Sequence, residues 1–148
     1  MVINLFVIVR VIIGGVFVFS GFEKLISPYQ NFLYVVQGYE MFPSWLENMA
    51  AHIMPWCEFF LGVFLLLGLW LRWVLRAVFI ITFMFVLIVA QAIIRNLPIA
   101  ECGCFGGLIS IPLPAILSFD TIMLFVVNSL MGKEERTRIL SLDLYLSN

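Results

Sequence analysis

The sequence predicts an all-α polytopic membrane protein, a bundle of four transmembrane helices with one short interfacial helix between spans one and two. Three observations predict it. Hydrophobic residues make up 64% of the chain and charged residues only 11%, where soluble proteins carry about a quarter charged. Mean hydropathy is +1.13. Four separate apolar runs each approach the roughly 20 residues that a helix needs to cross the hydrocarbon. Four such spans with short connections use up the 148 residues, so a single integral membrane domain over 1–148 is expected.

The first run, "VINLFVIVRVIIGGVFVFSGF" at 2–22, has no basic leader segment, has Arg10 within its apolar stretch and ends without an A-x-A-like cleavage site. It reads as a retained span and not as a cleaved signal. The following "SPYQNFLYVVQGYEMFPSWLEN" is too polar to cross. Phe32, Val35, Val36 and Tyr39 recur there at helical spacing, which predicts the interfacial helix. Residues 49–70 and 74–94 form the second and third spans. The fourth covers 111–131 and has prolines near its start, where a helix tolerates them best. A polar tail, 132–148, follows. Trp45 and Trp56 then fall in one interfacial belt, Trp70 and Trp73 in the other.

Basic residues near span ends accumulate on the cytoplasmic face. Arg72, Arg76, Lys133, Arg136 and Arg138 share one face of a four-span chain, against Lys24 and Arg95 on the other. This places both termini in the cytoplasm and "ECGCFGG", residues 101–107, outside the bacterial inner (cytoplasmic) membrane. Net charge is −1 with no basic run, so nucleic-acid binding has no electrostatic support.

Outside the cytoplasm close thiols tend to oxidise, which makes Cys102 and Cys104 candidates for a redox pair. Neighbours at i and i+2 reach disulfide distance only if the backbone between them bends, and Gly103 bends most readily. A strained bond of that kind is easily reduced, as an exchanging pair requires. Two other readings stay open. The cysteines are small enough simply to shape a glycine-rich turn. They are also soft ligands of the kind that favour Cu(I) or zinc, with His52 and Cys57 on the same side, although their spacing matches no usual zinc motif.

Arg10, Glu58 and Asp120 lie well inside spans, where an ionisable group needs a partner or a polar cavity. Arg10, Gly14, Phe17, Gly21 and Lys24 share one helical face, and Glu58, Gly62, Leu65 and Leu69 share another. Glycines beside the charges permit close helix approach. The three charges are therefore expected to form a buried polar network, with Arg10 the first choice as cation for Glu58 and Lys24 the second. Such a network either fixes helix register or lines a proton route or small-ligand pocket.

Together "RVIIGGVFVFSGFEKL", "CEFFLGVFLLLG" and "CGCFG" resemble the MauE branch of the DoxX-like membrane proteins, over most of the chain. The last span has Phe119 before Asp120, where the family pattern often has an Arg-Asp pair. The resemblance implies a four-helix membrane protein acting beside an extracytoplasmic thioredoxin-like partner in disulfide formation or protein maturation. Related four-helix redox proteins similar to vitamin K epoxide reductase pass electrons between a cysteine pair and a bound quinone, which makes a quinone the candidate cofactor. Two functions of other kinds remain alternatives: a non-enzymatic membrane scaffold or chaperone for a maturing protein, and a metal-binding membrane subunit.

Overall fold

A computed structural model describes residues 5–97 and 112–133. These form five helices: α1 (Leu5–Ile26), α2 (Tyr29–Gly38), α3 (Ser44–Leu67), α4 (Leu71–Ile94) and α5 (Leu113–Gly132). All but α2 are long and apolar enough to cross a membrane, so the four-span bundle is present. With ten residues, α2 is too short to span and has no buried residue, although Tyr39 just beyond it is buried.

The spans outrun the purely apolar windows. α1 continues to Ile26 and buries Glu23 and Lys24, while α3 begins at Ser44 and buries Glu47. Side chains that would be too costly against lipid are sheltered by protein, so the helices persist past the point where hydropathy alone ends them. At the other end of α3, Gly68 takes the left-handed conformation (φ 68°) and its N–H caps the Phe64 carbonyl. Trp70 follows, also with positive φ, and starts α4. Pro55 lies inside α3, and Pro112 and Pro114 open α5.

Antiparallel α1 and α3 meet through glycines. A Cβ on Gly62 would lie 2.5 Å from the Val18 amide nitrogen, and one on Gly21 would lie 2.5 Å from that of Phe59. Only a residue without a side chain allows this backbone-to-backbone approach. α5 packs on α4 through larger side chains: Val89 meets Ile116, and Met123, Val127 and Leu130 join Leu71, Val74, Leu75 and Val78 in the main core with Ile13, Phe17 and Leu65. Side chains such as Ile12, Phe19, Ile80, Phe83 and Phe125 are exposed and face the surrounding lipid.

The face expected on α1 is buried in full: Arg10, Gly14, Phe17, Gly21 and Lys24 all point inward. On α3 the same holds for Glu58, Gly62 and Leu65. Leu69 lies beyond the helix end and is half-buried, because Gly68 has already turned the chain.

Candidate functional site

The glycine seam determines which side chains meet in the bundle interior. With Gly21 pressed against Phe59 and the Pro55 carbonyl, Ser20 and Lys24, one helical turn apart on α1, are brought beside Glu58. Lys24 Nζ donates to Glu58 Oε2 at 2.6 Å and to Ser20 Oγ at 3.0 Å, and Ser20 Oγ donates to the same Glu58 oxygen at 3.1 Å. The ammonium and carboxylate are 1% and 2% exposed. Phe32 of α2 and Phe85 of α4 stand near the ammonium, with ring centroids at 5.1 and 5.8 Å, and add cation–π attraction.

These residues line one side of a cavity of about 40 Å³, whose other walls include Thr82 and Phe85 of α4 and Ile116, Phe119 and Asp120 of α5. Space of this size holds a few water molecules. Among the described residues, Glu58 Oε1, Asp120 Oδ2 and Thr82 Oγ1 are buried without a hydrogen-bond partner. One cation, Lys24, therefore faces two carboxylates, Glu58 and Asp120.

Arg10 is buried as expected, but at another level. It precedes Lys24 by fourteen residues on α1, about 21 Å along the axis at ~1.5 Å per residue. The cation paired with Glu58 is Lys24, which corrects the preference for Arg10. The seam sets this register by placing Gly21, not Gly14, beside residues 55–59. Asp120 does join Glu58 at the cavity.

Tyr39, between α2 and α3, is buried. Burial, with the Asp120 charge adding to it, pushes its phenol up to about 12, so it stays protonated through neutral pH. Above the cavity, Phe32, Val35, Val36 and Tyr39 close with Met54, Ile88 and Val89 around a second, apolar void of about 80 Å³. His52 is exposed on α3, its Nδ1 3.0 Å from the Asn48 carbonyl and its ring 4.3 Å from that of Tyr29. Half-buried Cys57 lies with His52, Trp56 and Phe60 along an open apolar groove of about 670 Å³ against α4. Among the described residues no group of three His, Cys, Asp or Glu side chains could hold a metal ion.

Cys102 and Cys104 lie outside the described residues. The flanking points are fixed. Leu97 follows the end of α4 and Pro112 precedes α5, at the end of the bundle where α2 sits.

Sequence reasoning missed Ser20 and Thr82. Thr82 had a visible signal: it is the sole polar side chain between Arg76 and Gln91 in an otherwise apolar run.

Four antiparallel apolar helices around a charge-lined interior cavity define a small polytopic integral membrane protein. The family model for methylamine utilisation protein MauE matches residues 3–132, and the chain belongs to that family. No curated protein and no solved structure gives a significant match.

Proposed function

We propose that this protein is a membrane-embedded thiol–disulfide redox protein serving the maturation of an extracytoplasmic protein in methylamine utilisation. Its cysteine pair, Cys102 and Cys104, exchanges electrons with a thioredoxin-like partner. The observation that carries this reading is topological. Leu97 and Pro112 anchor the segment containing "CGC" at the same end of the bundle as α2 and the Lys24–Glu58 cavity, the end that the distribution of basic residues assigns to the outside.

A partner thiolate attacks one sulfur of the Cys102–Cys104 disulfide, forming a mixed disulfide and releasing the other cysteine as thiolate. The partner's second thiolate then attacks the mixed disulfide, leaving an oxidised partner and a Cys102/Cys104 dithiol, a transfer of two electrons. Reoxidation needs an acceptor, for which a quinone is the chemical class. The water-sized cavity cannot admit a quinone ring. The groove along α3 and α4 has the size and apolar lining, with Trp56 and Phe60 as ring-sized walls and His52 as a polar group. A quinone held there would take up two electrons and two protons.

Alkylation trapping in intact cells tests the reading. Wild type should yield a mixed disulfide with an extracytoplasmic protein, and Cys102→Ser and Cys104→Ser should change or abolish it. A pair that is never reactive and never trapped would instead support a scaffold. An impermeant thiol reagent should label a lone Cys104 from outside without opening the cell. Labelling only from the inner face would invert the topology.

A further inference from the structure

The interior cavity is charged asymmetrically. Lys24 from α1 supplies one positive charge, while Glu58 from α3 and Asp120 from α5 supply two carboxylates. Among the described residues no other titratable side chain lines the cavity. α4 presents Thr82 and Phe85 to it, α2 presents Phe32 to the ammonium, and nearby Tyr39 is held protonated. Glu23 and Glu47 are buried but do not belong to the cavity wall.

Arg10, the other buried cation of the bundle, lies about 21 Å from Lys24 along α1 at ~1.5 Å per residue. The cavity itself therefore carries a net negative charge among the described residues, and leaving such a charge uncompensated inside a membrane bundle is costly. The oxygens facing the cavity show where the compensation belongs. Glu58 Oε2 is saturated by Lys24 and Ser20. Glu58 Oε1, Asp120 Oδ2 and Thr82 Oγ1, on residues at least nine-tenths buried, have no partner among the described residues. They are acceptors or hydroxyls waiting for a donor. The available volume, about 40 Å³, admits a few water molecules but no ring-sized ligand.

We propose that this cavity is a proton-binding site: one exchangeable proton is held on the Glu58–Asp120 carboxylate pair and linked through water to Thr82. Binding converts one carboxylate and one proton into one carboxylic acid and leaves the cavity neutral beside the Lys24 ammonium. The protonated acid then supplies the hydrogen-bond donor that the facing oxygens lack. The site does not rest on the reading of Cys102 and Cys104.

Infrared difference spectroscopy of the full chain in lipid nanodiscs, recorded between mildly acidic and alkaline buffer, tests it. The expected result is one protonated carboxylic C=O band per chain. It should shift in deuterium oxide and on incorporation of isotope-labelled aspartate or glutamate, an assignment that needs no mutation. Asp120→Asn should abolish the titrating band, and Cys102→Ser/Cys104→Ser should leave it in place, which separates failure of this site from failure of the redox reading. Absence of a carboxylic acid band throughout the titration would overturn the proposal. So would loss of the band at constant pH on adding sodium or ammonium, since a bound cation would then be the compensating charge.

Discussion

The α1–α3 seam and the α4–α5 seam differ in how they hold polar groups: the first has a buried ion pair across it and the second has none among the described residues. Between α1 and α3 the backbones touch through Gly14, Gly21 and Gly62, and the charge carried there is closed on itself by Lys24, Ser20 and Glu58 Oε2. α4 and α5 meet through bulkier side chains such as Val89, Ile116 and Val127, and they bring Thr82 Oγ1, Gln91 Oε1 and Asp120 Oδ2 into the interior with no partner among the described residues. Close approach lets a short serine and a long lysine reach one carboxylate. Between α4 and α5 the contacts are made by apolar side chains, and Thr82 Oγ1 and Asp120 Oδ2 remain available to something small. The α1–α3 pair holds an internal ion pair and still turns Glu58 Oε1 toward the cavity, whereas no ion pair joins α4 and α5 among the described residues.

The comparison breaks most severely at the glycines. Gly62→Val or Gly21→Val should cost more than the ~1–3 kcal/mol of ordinary overpacking, because the added Cβ meets backbone and not a movable side chain. Thermal unfolding in detergent should show loss of the folded state. Gly15→Val, where a Cβ has nothing within 4 Å, should unfold close to wild type, and an equal loss there would mean that the seam is not what these positions report.

Next in size is the ion pair. Lys24→Met leaves Glu58 buried and uncompensated, at a cost of about 3–5 kcal/mol. Adding Glu58→Leu should recover part of that loss, whereas additive losses in the double variant would show that the two side chains are not coupled. The same cycle built on Arg10 and Glu58 should show no such recovery.

The smallest effects sharpen the contrast between the seams. Ser20→Ala removes hydrogen bonds to charged groups, about 1.5–3 kcal/mol. Thr82→Val removes a hydroxyl without a described partner and should change stability by less than ~1 kcal/mol in either direction. If the two substitutions cost the same, Thr82 is bonded as firmly as Ser20 and the distinction between closed and open valences fails.

The fold was legible because span length and hydropathy are properties of single segments, and because the α1 face from Arg10 to Lys24 follows from helical periodicity alone. The partner of Glu58 was not. Choosing between Arg10 and Lys24 needs the relative height of two helices, and that depends on which glycine meets which turn. Helix ends are hard to read for a related reason: Glu23, Lys24 and Glu47 look like stop signals until neighbouring helices cover them. Open oxygens are also invisible in a sequence, since they are defined by what fails to come near. The cysteine motif is the reverse case, a signal carried by sequence alone.

Pro55 gives α3 a mechanical property of its own. Lacking an N–H, it leaves the carbonyl of Ala51 without its usual intrahelical donor, so the rod is softest about one turn above Glu58. Below that joint α3 is clamped to α1 by Gly62. Above it, the stretch through Ala50 and Met54 leans on α2 across the apolar void. Any displacement of α2 would therefore bend α3 at this joint before it disturbed Glu58. The upper arm can tilt while the carboxylate beneath it keeps its place against Lys24.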